Sequence, residues 1–183
     1  VGEAAFYGPK LDFIFKDVLG REWQLSTIQL DMNLPKRFDL EYVDEKGTKR
    51  EPVVIHRAIL GSTERFLGIL IEHFAGNFPL WLAPVQVKVL AVSDKQKDYA
   101  EKVYQDLMEA GIRVELAPSD ETLGKRIREA EMQKIPYIAV VGETEMNKGT
   151  LNLRIRGQGQ GGESSVADFV EHIRQEVKNL TLN

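Results

Sequence analysis

Two prolines five residues apart, Pro79 and Pro84, separate two stretches of the chain whose apolar patterns differ. Proline lacks a backbone N–H and fixes its φ angle, so no single helix or central strand can run through both positions. Before them the pattern is typical of antiparallel strands, whereas after them strand-like and helix-like segments alternate. The break therefore predicts two domains, residues 1–79 and residues 80–183.

The first domain is predicted to be an antiparallel meander followed by a helix. Its expected strands are residues 11–15, 22–30, 38–43 and 52–56, and a tight turn is expected at residues 44–47. Apolar residues then recur at helical spacing over residues 63–74, which indicates a largely buried helix. Ser62 precedes this helix and is its expected N-cap.

The second domain alternates strands and helices, which implies a mixed sheet with helices packed on it. The expected strands are residues 85–92, 113–116, 136–141 and 151–155, and the expected helices are residues 96–110, 122–133 and 165–180. The glycine-rich run 157–162 matches the spacing of a dinucleotide-binding loop. Because the chain leaves no room for the strand and acidic residue that should follow, a flexible loop is expected there. The predicted fold class is an antiparallel sheet with flanking helices followed by a mixed-sheet α/β domain.

Composition excludes several classes of protein. The 183 residues contain no Cys, which excludes disulfides, thiol catalysis and a Cys-based metal cluster completed within this chain. No stretch approaches the roughly 18 consecutive apolar residues of a membrane span, so no membrane partner and a cytoplasmic location are expected. A net charge of -4 argues against binding nucleic acid through bulk charge, although a local basic patch remains possible.

Three groups of residues could carry chemistry, and each also has a purely structural interpretation. The helix start at Gly61–Ser62 could bind phosphate together with Arg65, which could equally be a solvated helix residue. His56 follows three apolar residues and, on its own, is more often a structural histidine than a ligand. Two cationic pairs, Lys125 with Arg128 and Arg154 with Arg156, could bind RNA or form solvated faces.

A resemblance to class II aminoacyl-tRNA synthetases favours the functional interpretation of these residues. Residues 56–66, HRAILGSTERF, followed by GILIEH, resemble motif 3 in the form carried by threonyl-tRNA synthetases. Further matches follow the family's order: EAAFYGPKLDF from residue 3, WQ and TIQLD from residue 23, LPKRFDL from residue 34, and FP with WLAPVQV from residue 78. The resemblance covers almost the whole chain and is densest up to Val87.

This resemblance implies the C-terminal half of a catalytic domain followed by an anticodon-binding domain. The implied activity is ATP-dependent activation of threonine to its adenylate and transfer to tRNA(Thr), by a homodimer that uses Mg²⁺ and Zn²⁺. The zinc would bind the amino and hydroxyl groups of threonine and so reject valine. The implied residues are Arg65 and Lys10 for catalysis, Tyr7, Gln24, Gln29, Gly61 and Ser62 for substrate binding, His56 for zinc, and Arg128, Glu145 and Arg154 for tRNA.

Some positions depart from the family's pattern. Leu25–Ser26 stands where relatives often have Cys-Gly, and Asp120 and Thr122 stand where they often have Asn and Lys, so these two receive no role. The other two zinc ligands would precede Val1, so the chain alone is expected to be inactive. Two other interpretations remain open: a non-catalytic accessory module that binds RNA or docks to a protein, and a prolyl-tRNA synthetase.

Overall fold

A computed structural model describes residues 5–182 of the chain. Glu3 and Ala4, which open the first matched motif, lie outside this range. The chain folds as two compact units that divide between Leu70 and Ile71, so the domain boundary at residues 79–80 stays a prediction. Within the described range, no helix has the length and apolar character needed to cross a bilayer.

The first unit is built on a three-stranded antiparallel sheet in the order β1-β2-β5. Its elements are β1 (Lys10–Lys16), β2 (Glu22–Asp31), α1 (Leu34–Arg37), β3 (Tyr42–Val43), β4 (Lys49–Arg50), β5 (Val54–Ala58) and α2 (Thr63–Phe74), which continues into the second unit. The predicted hairpin is confirmed, since β1 pairs with β2 from Lys10 opposite Gln29 to Lys16 opposite Glu22.

The side chain of Asp17 closes the turn of this hairpin. Its carboxylate accepts hydrogen bonds from the backbone N–H groups of Leu19 and Arg21, each at 2.9 Å, and from Nε1 of Trp23 at 3.0 Å. The bond from Trp23, together with those from Arg21 and Leu19, lowers the pKa of Asp17 to about 2. An ionised Asp17 therefore holds the register in which β1 meets β2.

The predicted meander is wrong in one respect. The strand at β3 does not join the main sheet but pairs with β4 as a separate two-stranded ribbon, and β5 takes the place beside β2. The cause is the turn at Asp44, whose carboxylate accepts the N–H groups of Lys46 and Thr48, each at 2.9 Å. This local closure makes the chain pair with itself immediately after the turn.

The prediction of a largely buried α2 is also wrong. Leu67 is 50% exposed and Ile71 is 47% exposed, although both belong to the apolar pattern of the helix. Periodicity shows which face of a helix avoids water, but it does not show what covers that face. The described residues leave this face of α2 half exposed.

The second unit contains a five-stranded sheet in the order β10-β9-β8-β6-β7, which confirms the predicted mixed sheet and adds β10 to its four predicted strands. Its elements are β6 (Val87–Ala91), a short 3-10 helix (Asp94–Gln96), α3 (Lys97–Glu109), β7 (Val114–Leu116), α4 (Leu123–Met132), β8 (Tyr137–Val141), α5 (Glu143–Lys148), β9 (Thr150–Ile155), β10 (Gly159–Ser165) and α6 (Val166–Lys178). The strands β7, β6 and β8 are parallel, and β9 and β10 are antiparallel to their neighbours.

Alternate residues of β6 and β8 bury opposite faces of this sheet. Val87 and Val89 pack in one cluster with Val103 and Leu107 of α3 and with Phe169 of α6. On the other face, a smaller cluster joins β6, α4 and β8 and comprises Leu90, Ala117, Ala130, Ile135 and Ile138. Burying each large aliphatic side chain contributes about 1.5–3 kcal/mol, so this two-sided core fixes where the loops at the sheet edges lie.

The predicted flexible loop at residues 157–162 is wrong, because most of this run belongs to β10. The strand pairs with β9 and contains a register shift between Gln160 and Gly162. A Cβ atom on Gly161 would lie 2.7 Å from Cγ1 of Ile155, so a larger residue there would force the Ile155 side chain to shift. The glycines therefore make a bulged hairpin rather than a mobile segment.

Candidate functional site

One face of the first sheet carries a row of polar side chains that the sequence places far apart. Lys10 of β1 lies opposite Gln29 of β2, and Gln29 lies opposite His56 of β5. Residues directly opposite each other in an antiparallel ladder project to the same face. Strand pairing therefore brings Lys10, Gln29 and His56 together on one side of the sheet.

Tyr7 closes one side of this row. Its hydroxyl donates to Oε1 of Gln29 at 2.8 Å, and its ring packs edge-on toward the His56 imidazole, with a centroid distance of 6.4 Å. The N–H of Met32 donates to the carbonyl of Tyr7 at 3.0 Å, which ties the Tyr7 segment to the end of β2. The structure thus groups four of the predicted site residues.

Asp12 holds Lys10 and Gln24 in place, and sequence reasoning assigned it no role. Its carboxylate lies 2.8 Å from Nζ of Lys10 and accepts hydrogen bonds from Nε2 of Gln24 and Oγ1 of Thr27, each at 2.7 Å. The bond from Lys10, followed by that from Thr27, lowers the pKa of Asp12 below its ordinary value. A carboxylate two residues after Lys10 on the same strand was the available signal.

His56 is bonded to a buried carboxylate. Nε2 of His56 lies 2.9 Å from Oδ2 of Asp31, whose side chain is only 1% exposed, while the imidazole is 45% exposed. Asp31 also accepts the N–H groups of Leu34 and Asn33, and the bond from Leu34, with those from His56 and Asn33, lowers its pKa. The sequence indicated only that His56 shares a face with Val54.

His56 fits a role as one ligand of a metal site completed elsewhere. Its imidazole is partly exposed and has one nitrogen engaged by a carboxylate, an arrangement common among metal-binding histidines. Within residues 5–182, no three His, Asp or Glu side chains group closely enough to hold a metal ion. The described residues therefore form no complete metal site, and a metal-binding role for His56 stays a prediction.

The start of α2 is ordered by its own polar side chains. Oγ of Ser62 accepts the N–H of Arg65 at 3.2 Å, as expected of an N-cap, and donates to Oε2 of Glu64 at 2.9 Å. Gly61 has φ +67°, and a Cβ atom there would collide with the carbonyl oxygen of Leu25. Glycine is required at this turn because L-residues with a side chain rarely adopt this conformation.

Arg65 contacts the same strand as the polar row. Its Nη1 donates to the carbonyl oxygen of Gln24 at 3.2 Å, and the side chain of Gln24 bonds to Asp12. Gln24 thus connects Arg65 to the group around Lys10.

The cationic residues of the second unit divide into those used internally and those at the surface. Arg156 donates from Nη1 to the carbonyl of Lys134 at 2.7 Å and from Nη2 to that of Phe78 at 2.8 Å, so its guanidinium is a structural clamp. Arg154 of β9 lies 3.4 Å from Glu131 of α4, and both residues line a cavity of about 270 Å³. Arg128 is exposed on α4.

Three further polar residues of the second unit have structural roles. Glu145 caps α5, since its Oε2 accepts the N–H of Gly142 at 2.9 Å. Thr122 caps α4 by accepting the N–H of Lys125 at 3.4 Å, and Lys125 itself is paired with Glu121 at 2.6 Å. The predicted cationic face on α4 therefore consists of Arg128 and an already paired Lys125.

Arg126 is a buried residue that sequence reasoning missed. It is 4% exposed and donates from Nη2 to the carbonyl of Ala91 at 2.8 Å, at the end of β6. Its position four residues before the buried Ala130, on the same helix face, was the signal. Arg126 connects α4 to the carboxyl end of β6.

Comparison with known proteins agrees with this arrangement in both units. The family model of the class II tRNA synthetase core domain (G, H, P, S and T) matches residues 2–74, and that of the anticodon binding domain matches residues 86–176. A threonine–tRNA ligase of Thermus thermophilus is 56% identical over 181 residues, covering 99% of this chain and 28% of the relative. One from Clostridium tetani is 53% identical over 178 residues, covering 97% of this chain and 28% of the relative.

Solved structures extend the comparison. The RNA binding domain of threonyl-tRNA synthetase from Cryptosporidium parvum Iowa II has a TM-score of 0.85 at 39% identity and covers 96% of this chain and 44% of that one. A prolyl-tRNA synthetase from Cryptosporidium parvum has a TM-score of 0.70 at 24% identity, covering 97% and 38%, which shows a shared fold alone.

The two units, a core with a polar strand face and an anticodon-binding fold, define a class II aminoacyl-tRNA synthetase. The chain is more than 50% identical to the two threonine–tRNA ligases and 24% identical to the prolyl-tRNA synthetase. The chain belongs to the threonyl-tRNA synthetase family. It spans 28% of the length of the two curated relatives.

Proposed function

We propose that the chain is the C-terminal part of a threonine–tRNA ligase. Residues 1–79 form the second half of its catalytic domain and residues 80–183 its anticodon-binding domain. The observation that carries the proposal is the row of Lys10, Gln29 and His56 on one sheet face, because it gathers a cation, an amide and an imidazole beside Tyr7. The longer protein, called the intact synthetase below, is a cytoplasmic homodimer in this proposal.

The reaction needs stabilisation of negative charge rather than a protein nucleophile. The carboxylate of threonine attacks the α-phosphorus of ATP, and pyrophosphate leaves. Arg65 holds the terminal phosphates and Lys10 the reacting carboxylate or phosphate oxygens, so that charge is stabilised where it develops. Mg²⁺ shares this charge when it is bound. Gln24, Gly61 and Ser62 position the nucleotide between the two cations.

Threonine is selected at the opposite end of the row. His56 supplies one ligand to a zinc ion, and Tyr7 and Gln29 contact the amino acid. A zinc ion held there would supply a Lewis-acid site for the amino and hydroxyl groups of threonine and would so disfavour valine, which lacks the hydroxyl. The half-exposed imidazole, bonded at its other nitrogen to Asp31, supports this role.

The second unit binds tRNA(Thr) through its surface arginines. Arg128, Arg154 and Glu145 contact the anticodon in this proposal, and Glu145 also caps α5. Arg154 and Arg156 line the same cavity, but Arg156 donates to two backbone carbonyls of the fold, whereas Arg154 is paired with the side chain of Glu131 and is the one expected to reach RNA. Unpaired bases of an anticodon loop present hydrogen-bonding edges to such side chains.

The activity is tested by amino-acid-dependent ATP–pyrophosphate exchange. The intact synthetase is expected to exchange with threonine, and the 183-residue chain alone is expected to be inactive, because its described residues supply one zinc ligand. Exchange that depends on proline would favour a prolyl-tRNA synthetase. An intact protein that activates no amino acid would favour the accessory-module interpretation, and exchange by the chain alone would contradict the proposed division of the active site.

The anticodon role is tested with the double variant Arg128→Ala, Arg154→Ala of the intact synthetase. Loss of base contacts at about 1–3 kcal/mol each predicts tRNA(Thr) binding weaker by at least about tenfold, with threonine-dependent exchange unchanged. Lys102→Ala, on the exposed face of α3, is the matched control for loss of surface charge. Equal tRNA affinity in the wild type and the double variant would remove these arginines from the interface.

A further inference from the structure

Asp31 divides its two carboxylate oxygens between the backbone and His56. Oδ1 accepts the N–H groups of Asn33 and Leu34, each at 2.9 Å, and these bonds fix the carboxylate at the end of β2. Oδ2 lies 2.9 Å from Nε2 of His56. The carboxylate is therefore immobilised on one side and presents its second oxygen to the imidazole.

This geometry determines which nitrogen of His56 carries a proton. An ionised carboxylate can only accept hydrogen bonds, so Nε2 must donate. In a neutral imidazole the other nitrogen, Nδ1, then holds a lone pair, which is what a metal ion or a substrate N–H requires. The side chain of Asp31 is 1% exposed, so water competes little for this bond.

Strand register makes the contact possible. Asp31 lies opposite Val54 in the ladder between β2 and β5, and His56 is two residues further along the same face. Diagonal neighbours of this kind are within reach of longer side chains. The ring of Tyr7, which precedes β1, packs edge-on toward the His56 imidazole, so the imidazole is restrained from two directions.

We propose that Asp31 is a positioning residue that fixes the ring orientation and tautomer of His56, so that Nδ1 is the nitrogen presented to zinc. The part that concerns zinc rests on the proposed function. Outer carboxylates that hold a metal-binding histidine typically change metal affinity by about 10–100-fold when they are removed. Asp31 acts through His56 and does not touch the substrate.

The variant Asp31→Asn of the intact synthetase tests the proposal. An amide that keeps its oxygen toward the backbone N–H groups turns its NH₂ toward His56, which then favours the wrong tautomer. We expect zinc affinity, measured by competition with a chelator, to fall about 10–100-fold. We also expect the KM for threonine to rise and the KM for ATP to stay the same. Unchanged zinc affinity in a folded variant would overturn the proposal.

Asp44→Asn is the matched control. Asp44 also accepts two backbone N–H groups and a side-chain donor, Nε of Arg50 at 3.0 Å, but it contacts no histidine. Its replacement is expected to leave zinc affinity and both KM values unchanged. A loss of zinc equal to that of Asp31→Asn would show that a general loss of stability explains both results.

A crystal structure of the zinc-loaded wild-type synthetase provides a readout that needs no variant. The proposal predicts Nδ1 of His56 on the metal and Nε2 on Asp31, and coordination through Nε2 would overturn it. A wild-type protein that binds no zinc would instead contradict the proposed function. In that case a crystal structure of the zinc-free protein tests the part of the proposal that concerns the ring, and loss of the contact between Nε2 of His56 and Asp31 would overturn it.

Discussion

His56→Ala in the intact synthetase is expected to release zinc and to lower threonine-dependent ATP–pyrophosphate exchange by more than about a hundredfold. Removing an outer partner of a metal-binding histidine already costs about 10–100-fold, so removing the ligand itself must cost more. The imidazole is at the edge strand β5 and 45% exposed, so its truncation leaves no large cavity. Zinc content and exchange are measured on the same preparation.

His73→Ala is the control for this variant. His73 is exposed in the last turn of α2, and its ring contacts that of Phe74 rather than the polar row. It is expected to keep its zinc and its exchange activity. Full zinc content in the His56→Ala protein would contradict the assignment of His56 as a ligand.

Arg65→Ala is expected to lower threonine-dependent exchange by about 10²–10³-fold while zinc content stays the same. Removing one preorganised group that stabilises developing charge typically costs about 2.7–4 kcal/mol. Arg65→Lys should restore little, since an ammonium lacks the planar fork that can hold two phosphate oxygens together. Because Nη1 also donates to the carbonyl of Gln24, both substitutions remove a hydrogen bond that orients the side chain.

Arg57→Ala is the control for Arg65. Arg57 is an exposed arginine of the same sheet that lies opposite Ile28, and as the neighbour of His56 it projects to the other sheet face. Its removal is expected to leave exchange within about twofold, as for a surface position without partners in the reaction. An Arg65→Ala enzyme as active as Arg57→Ala would exclude Arg65 from phosphate binding.

The elements of the second unit could be predicted closely because their patterns are local. Residues 136–141 were predicted as a strand and β8 is Tyr137–Val141, while residues 122–133 were predicted as a helix and α4 is Leu123–Met132. The helix α4 buries one face and shows helical apolar spacing, whereas β8 is buried on both faces and shows a short continuous apolar run. The short helices α1 and α5 were missed because neither is long enough to show a periodic apolar stripe.

The site itself could be predicted only as separate residues. Lys10 and His56 lie on one face because β2 pairs with both of their strands. The register between strands that are distant in sequence cannot be read from either strand alone. The same holds for Asp12 and Asp31, whose partners become visible only when the strands are paired. Resemblance to a family identified Lys10 and His56, but it did not show what holds them.

Glycine patterns misled the prediction in one place. The run at residues 157–162 contains little that favours a strand, yet Gly159–Ser165 pairs along β9. The partner strand decides the outcome here, because β9 supplies the backbone pairing and the side chain of Ile155 packs against Gly161. Intrinsic strand preference is weak compared with such tertiary pairing.

The most direct test of the polar sheet face as the substrate site is a crystal structure of the intact synthetase with a non-hydrolysable threonyl-adenylate analogue. The ligand is expected to lie on the face of Lys10, Gln29 and His56. Its threonyl end should point toward His56 and its phosphate analogue toward Lys10 and Arg65. A ligand bound on the opposite face, beside the small cavity that Phe13, Ile28 and Arg57 line, would contradict it.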